Sequence, residues 1–137
     1  MINNESDMSR WLMGQCPDIE RIENSVKGGT PDMIVPTHYS WVQVELKIEH
    51  NMKVIFQNNQ MAYMVRNSRL PRHLWSWVLV CRTRDETGVL FNSKEVLAMP
   101  KQPYSNGKSL VDLPADASFS KLQLLIDNLG VYRRLNT

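Results

Sequence analysis

The segment GTPDMIVPTHYSWVQVELK, residues 29–47, contains the clearest strand pattern of the chain and its most informative polar residues. Its second half alternates apolar and polar residues, which predicts a strand over residues 41–47 with two different faces. Its first half predicts a short strand over residues 32–35 that is stopped by Pro36. On the longer strand, the polar face carries Trp41, Gln43, Glu45 and Lys47.

Asp32 and Glu45 are separated by twelve residues, and pairing of the two strands would place their carboxylates side by side. Two close carboxylates repel each other, so the pair favours a cation between them. Oxygen ligands with open positions suit Mg²⁺, which can polarise a phosphodiester and activate water. Lys47, on the same face as Glu45, would offset charge on the phosphorane. The alternative interpretation of Glu45 and Lys47 is a solvated pair on a polar strand face.

These residues, together with Gln60 in the segment QMAY, resemble the motif of the PD-(D/E)xK nuclease superfamily. Within that superfamily the chain is most similar to the VRR-NUC group, in the stand-alone form found in bacteriophages and prophages. The segment RIENS at residues 21–25 shares this similarity. The resemblance covers about residues 5–82 and implies a restriction-endonuclease-like α/β fold, with a mixed central sheet flanked by helices.

The resemblance also implies the chemistry and the roles of four residues. It implies a divalent-metal nuclease in which Asp32 and Glu45 are ligands of Mg²⁺ or Mn²⁺. Lys47 corresponds to the catalytic lysine of the family, and Gln60, on the helix after the core strand, corresponds to a residue that supports the site.

A further acid of the family lies on a helix, and it corresponds best to Glu5, with Glu20 and Glu23 as alternatives. Glu5 precedes Met8 and Leu12 on one stripe of the first predicted helix, so it would point along the buried face as a third metal ligand. Stand-alone members resemble Holliday-junction resolvases, which implies a homodimer that acts on branched DNA.

Outside residues 29–47, periodicity and turn residues predict a mixed α/β domain. The predicted elements are a helix at 4–13 ended by Gly14, a strand at 19–26, a helix at 54–67, strands at 76–82 and 88–91, and helices at 93–98 and 118–130, the last ended by Gly130. Residues 101–117 hold two of the seven prolines and predict a loop or arm. We expect one domain over residues 1–137, with a core at about 5–100 and a right-handed parallel crossover from 41 to 82.

The composition restricts the class of protein. Hydrophobic residues make up 42% and charged residues 22%, which argues against disorder, and the net charge of +2 does not by itself indicate nucleic acid. There is no apolar run of membrane-spanning length and no secretory signal. Cys16 and Cys81 lack zinc-site spacing, so we expect a loop thiol and an inert core thiol in a reducing cytoplasm, that of a bacterial host if the gene belongs to a phage.

Basic residues near the predicted cleft are candidate phosphate contacts, because such contacts supply most non-specific affinity for DNA. They are Lys27, Lys53, Arg66, Arg69 and Arg72. For the arginines the alternative is a helix C-terminus, which favours cations. We expect Trp41 to pack in the core, with a role as cleft wall or base-stacking platform as the alternative.

The residue patterns together with the resemblance predict a Mg²⁺- or Mn²⁺-dependent DNA endonuclease, and the resemblance implies selectivity for branched DNA such as a Holliday junction. One alternative keeps the nuclease fold without catalysis, as a DNA-binding or inhibitory module. Another is a small protein-interaction domain. Leu124 falls off the buried stripe of the last helix and is the candidate dimer contact, unless it packs on its own sheet.

Overall fold

The computed structural model describes residues 2–22 and 31–133, which form two sheets and four α-helices. In chain order the elements are α1 (Glu5–Gln15), β1 (Glu20–Arg21), β2 (Met33–Pro36), β3 (Trp41–Ile48), β4 (Lys53–Gln57), α2 (Asn58–Ser68), a 3₁₀ turn (Arg72–Leu74), β5 (Trp77–Arg82), β6 (Thr87–Asn92), α3 (Ser93–Ala98), β7 (Lys101–Tyr104), β8 (Lys108–Asp112), β9 (Ser120–Lys121) and α4 (Leu122–Leu129).

The larger sheet has the strand order β1-β2-β3-β5-β6-β9. Strands β3 and β5 are parallel and are connected through β4 and α2, which confirms the predicted parallel pairing of the two strands, and the right-handed sense of the crossover stays a prediction. Every other neighbouring pair in this sheet is antiparallel. The predicted pairing of β2 with β3 is present, and it places Met33 opposite Val44.

Two hydrophobic cores lie on opposite faces of this sheet. On one face, Val44 and Leu46 of β3 pack with Met8 of α1 and Ile126 of α4. The other core contains Val78 of β5 and residues of β4, α2 and α3. Because side chains alternate along a strand, the even-numbered apolar residues of β3 face α1 and α4, and its odd-numbered polar residues face the second core.

The prediction of one helix over residues 54–67 is wrong in its first turn. Residues 53–57 form β4, in which Val54 and Phe56 are buried and Gln57 is exposed, and α2 begins only at Asn58. Alternation with a period of two fits this burial, and β8 supplies the backbone partner that makes a strand possible. The sequence of this segment suits either a helix or a strand, and its pairing with β8 selects the strand.

The predicted arm at residues 101–117 is also wrong over most of its length, because β7 and β8 form a hairpin that extends β4 into a second sheet of order β4-β8-β7. Asn106 and Gly107 at the turn have φ of 59° and 70°, the left-handed values that an Asn-Gly hairpin turn uses. Pro103 lies on β7, at the edge of this sheet, where a missing backbone donor is tolerated.

Smaller boundary errors occur at the chain ends. Helix α1 continues through Gly14 to Gln15, so Gly14 is not its C-terminal cap, and Cys16 is a fully buried capping residue and not a loop thiol. The predicted strand at 19–26 is only β1 within the described residues. The last helix starts at Leu122, after β9, and ends at Gly130 with φ 71°, as predicted.

Candidate active site

Two charged residues of β3 are buried on the sheet face that looks toward α2. Glu45 is 1% exposed and Lys47 is 8% exposed. In the parallel register they lie beside Val78 and Val80 of β5, which belong to the second core. The alternative interpretation from sequence, a surface ion pair, would leave both side chains in contact with water. Both side chains are instead buried, so that interpretation is wrong.

Gln60 connects these two side chains. Its amide Nε2 donates a hydrogen bond to Glu45 Oε1 at 2.6 Å, and its Oε1 accepts one from Lys47 Nζ at 2.8 Å. The same Oε1 accepts the backbone N–H of Gln57 at 2.9 Å as part of the capping box that starts α2. The cap of the helix therefore fixes the residue that positions the carboxylate and the ammonium.

Asp32 brings a second carboxyl to Glu45. It lies just before β2, and its Oδ2 accepts the backbone N–H of Leu46 at 3.2 Å. Burial raises the pKa of Glu45 to about 9, with further contributions from a hydrogen bond to Asp32 and from the charge of Asp32. Two carboxyls this close, one of them fully buried, hold a proton between them unless a cation offsets their charge.

Glu5, at the start of α1, faces the same cleft. Its pKa is raised chiefly by burial of its carboxyl, whereas the charge of Lys47 lowers this pKa and the charge of Asp32 raises it. A cleft of about 450 Å³ lies between the start of α1 and the strands, and it is lined by residues that include Glu5, Lys47 and Ile55. Electrostatic coupling to Asp32 and Lys47 thus favours Glu5 as the helical acid.

The two rival acids have different positions. Glu20 is exposed on β1, at the edge of the larger sheet. Glu23 lies outside the described residues, as does Lys27, one of the candidate phosphate contacts.

The donor set fits a weakly chelated hard cation. Across residues 2–22 and 31–133 no group of three or more His, Cys, Asp and Glu side chains is arranged to hold a metal ion. Mg²⁺, however, is usually bound through one or two carboxylates, with water and substrate phosphates filling the remaining positions. Asp32 and Glu45 supply such a pair, and the open cleft beside Glu5 leaves room for the other ligands.

Phe56 contacts the site, and this role was not predicted from the sequence. The Nζ atom of Lys47 lies 4.9 Å from the centroid of the Phe56 ring, on β4. A cation over a ring face is held by the ring quadrupole, so Phe56 helps to keep the ammonium in place. The alternation of Val54 and Phe56 was the available signal, and it was hidden by the prediction of a helix.

The candidate phosphate contacts that the structure describes lie in two separate regions. Lys53, on β4, is ion-paired with Asp112 of β8. Arg66, Arg69 and Arg72 are exposed at the end of α2 and in the 3₁₀ turn that follows it. The arginines therefore form one exposed basic edge, which is compatible both with DNA contact and with the helix C-terminus.

Trp41 is not a core residue, contrary to the prediction, because its side chain is 59% exposed. It is the first residue of β3 and lies in a surface groove with Tyr63 and Trp75. Cys81 is fully buried, as predicted, and burial raises the pKa of its thiol to about 11. None of the described helices is long and apolar enough to cross a membrane.

Comparison with known proteins gives a fold. No protein-family profile matches the chain, and no curated protein matches it either. Among solved structures, the Holliday junction resolvase Hjc of the archaeon Archaeoglobus fulgidus is similar, with a TM-score of 0.56 and 11% identity over 94% of this chain and 98% of Hjc. The chain therefore has a resolvase-like, restriction-endonuclease-like α/β fold, as predicted. Membership of the VRR-NUC group and a phage origin stay predictions.

Proposed function

We propose that this protein is a divalent-metal-dependent DNA endonuclease that hydrolyses phosphodiester bonds and prefers branched DNA, such as a Holliday junction. The observation that carries the proposal is the buried Asp32–Glu45 carboxyl pair, with Lys47 bridged to Glu45 through Gln60. The fold shared with a Holliday junction resolvase supports the choice of substrate class.

Each residue of the site has a distinct task in this proposal. Asp32 and Glu45 hold Mg²⁺ or Mn²⁺, with Glu5 as a further oxygen donor at the cleft. The bound cation would polarise the phosphodiester and lower the pKa of a water molecule. Lys47 directs its ammonium at the charge that develops on the phosphate oxygens, where one preorganised donor has a large effect on rate. Gln60 keeps Glu45 and Lys47 in register and leaves Lys47 two further N–H donors for the substrate.

The direct test is a cleavage assay on labelled linear, flapped, gapped and four-way-junction DNA with Mg²⁺, Mn²⁺ or excess EDTA. We expect metal-dependent cutting of the branched substrates by the wild type and none by Asp32→Asn or Glu45→Gln. Both variants should still bind DNA as well as the wild type or slightly better, because each removes a repulsive charge. Asp112→Asn, in the second sheet, is the matched control. Full activity in EDTA or in either site variant would overturn the proposal.

A non-catalytic module of the same fold is the second candidate. It is favoured by the finding that the described residues offer no group of three or more metal-binding side chains. Such a module would bind the same DNA substrates but cut none of them with any metal. Asp32→Asn would change its affinity for DNA only by the small amount expected from removal of one negative charge.

We also propose that the enzyme is a homodimer, because symmetric cuts in two strands need two sites. Leu124 on α4 is 55% exposed, whereas Leu125 and Ile126 are buried against the sheet, so Leu124 is free to contact a second copy. Light scattering should give about twice the chain mass of 15.9 kDa. A monomer that still makes paired cuts in a four-way junction would exclude this assembly.

A further inference from the structure

A groove of about 340 Å³ lies at the start of β3, beyond the carboxyl pair. We call it the aromatic groove, and the residues that matter here are Trp41, Tyr63, Leu70, His73, Leu74 and Trp75. Trp41, Leu70 and Leu74 are 59%, 46% and 51% exposed. Large apolar side chains exposed together on one surface mark a binding site more often than chance, so the groove calls for an occupant.

The groove is built on a rigid polar foundation. Asn67, buried on α2, donates from Nδ2 to the carbonyl of Leu74 at 3.2 Å and accepts the backbone N–H of Ser76 at 2.6 Å. Trp75 Nε1 donates to the carbonyl of Leu70 at 2.9 Å. These bonds hold the segment between α2 and β5 in one conformation, so its apolar side chains are presented in a fixed arrangement.

Tyr63 connects the groove floor with β3. Its hydroxyl is hydrogen-bonded to the side chain of Gln43 and lies 3.3 Å from Ser76 Oγ. Gln43 is between Trp41 and Glu45 on the same strand face. The groove and Glu45 therefore lie along the same face of β3.

The chain segment that forms most of the groove, residues 63–75, carries three arginines and no Asp or Glu. Arg66 lies 6.0 Å from the centroid of the Tyr63 ring, and Lys94 lies 5.6 Å from that of Trp75. An acidic polymer complements this surface.

The distance between the aromatic groove and the carboxyl pair is one that a single DNA strand can span. Trp41 and Glu45 are four residues apart on one strand, so their Cα atoms are roughly 13 Å apart. That equals about four stacked nucleotide steps of 3.4 Å each. A strand cut at the carboxyl pair would thus place nucleotides a few positions away over Trp41.

We propose that the aromatic groove binds unpaired bases of the DNA substrate, which stack on Trp41 and its apolar neighbours while the arginines of residues 66–72 contact the backbone. This rests on the proposed function and deepens it, because it names unpaired nucleotides next to the cut as the feature recognised. Aromatic faces in a basic groove bind single strands with little sequence preference, since every base has a π-face. Duplex DNA keeps its bases stacked and offers the groove only phosphates.

The test measures binding in EDTA, so that it does not depend on cleavage. Fluorescence anisotropy of labelled oligothymidylate and of a blunt duplex is compared for the wild type, Trp41→Ala and Trp41→Phe, with Tyr104→Ala as control for loss of an exposed aromatic side chain elsewhere. We expect Trp41→Ala to weaken binding of oligothymidylate about 10-fold and of duplex less than about 2-fold, while Trp41→Phe keeps most of the affinity. Tyr104→Ala should match the wild type.

A second measurement needs no variant. A flap that carries 2-aminopurine in its unpaired arm should lose fluorescence on binding the wild-type protein, and the same base inside a duplex should not. Absence of quenching in the flap overturns the proposal. An equal loss of affinity for oligothymidylate and for duplex in Trp41→Ala also overturns it. If Trp41→Ala instead changes from dimer to monomer without a selective loss of single-strand binding, the groove is a protein interface and the proposal is wrong.

The two proposals fail separately. A protein that cuts DNA in a metal-dependent way but shows no preference for unpaired bases contradicts only the role of the groove. A protein that stacks unpaired bases but cuts none of the substrates contradicts only the nuclease assignment.

Discussion

Within residues 2–22 and 31–133, carboxylates and lysines lie together in two places that differ in burial and in balance of charge. On β3, Glu45 and Lys47 are buried, a second carboxyl from Asp32 adjoins Glu45, and a neutral amide from Gln60 lies between acid and base. On the second sheet, Lys53 and Asp112 are partly exposed and contact each other directly. When both of its carboxyls are ionised the first place carries an excess of negative charge, whereas the second place is neutral.

The difference shows what a cation site requires. An exposed pair such as Lys53–Asp112 has satisfied its own charge and contributes at most about 1 kcal/mol to stability. Burial, followed by the hydrogen bond to Asp32 and the charge of Asp32, raises the pKa of Glu45 to about 9, and the charge of Lys47 offsets only part of this effect. Folding therefore carries an electrostatic cost at the buried carboxyl pair, which either a bound proton or a bound cation relieves, and such a cost is typical of functional sites.

Removal of a lysine should affect activity most at the buried site on β3. Lys47→Ala should lower the rate of DNA cleavage at least ~100-fold, the scale of losing one transition-state donor. Binding of metal should survive, because a protonated lysine is not a ligand. Single-turnover kinetics and calorimetry with Mn²⁺ measure the two quantities. Lys101→Ala, on the second sheet, is the control, and a variant of Lys47 that loses metal affinity while keeping its maximal rate would contradict the assignment.

Gln60→Ala should have a smaller effect on the rate, about 10-fold, since Gln60 positions other groups and does not react itself. The loss should fall on kcat more than on KM, because Glu45 and Lys47 are still present but less well aligned. Gln60→Glu would place another acid against Glu45 and should lower the rate further. An unchanged kcat in Gln60→Ala would show that the two hydrogen bonds at 2.6 and 2.8 Å do not organise the site.

Glu45→Gln should stabilise the metal-free protein by roughly 1–3 kcal/mol at pH 8, as one pKa unit corresponds to about 1.4 kcal/mol. The folded-state pKa of Glu45 lies above its ordinary value of 4.5, at about 9. The penalty from Glu45 is therefore absent below pH 4.5 and grows as the pH rises toward 9. Urea unfolding in EDTA at pH 5 and pH 8 measures this.

The paired residue of the second place gives the contrast for that experiment. Asp112→Asn removes one half of an exposed ion pair, so it should change the free energy of unfolding by less than about 1 kcal/mol at either pH. The difference in free energy of unfolding between Glu45→Gln and the wild type should be larger at pH 8 than at pH 5. The same difference at both pH values would contradict the raised pKa of Glu45.

The part of the fold that depends on local pattern was predictable. Alternation in residues 41–47 gave β3 and placed Glu45 and Lys47 on one face, and Gly130 marked the end of α4. Burial of Glu45 was not predictable, since it depends on α2 and β4 packing over that face. A polar residue on an alternating strand is ordinarily exposed, and only tertiary structure shows that it is not.

The second sheet shows the limit of sequence reading most clearly. Residues 53–57 become β4 only because β8, more than fifty residues later, pairs with them. The proline content of residues 101–117 suggested a loop, while the Asn106-Gly107 signal for a hairpin was present but outweighed. Trp41 was assigned to the core by its type, although its place at the first position of β3 leaves it outside the packed layers.

In the proposed mechanism, Asp32 and Glu45 hold a divalent cation. Titration of Mn²⁺ into the metal-free protein, followed by electron paramagnetic resonance of the free ion, tests it without DNA or catalysis. We expect one Mn²⁺ site per chain in the wild type and in Asp112→Asn, and loss of that site in Asp32→Asn and in Glu45→Gln. The same Mn²⁺ affinity in all four proteins, or no binding to the wild type, would contradict the account.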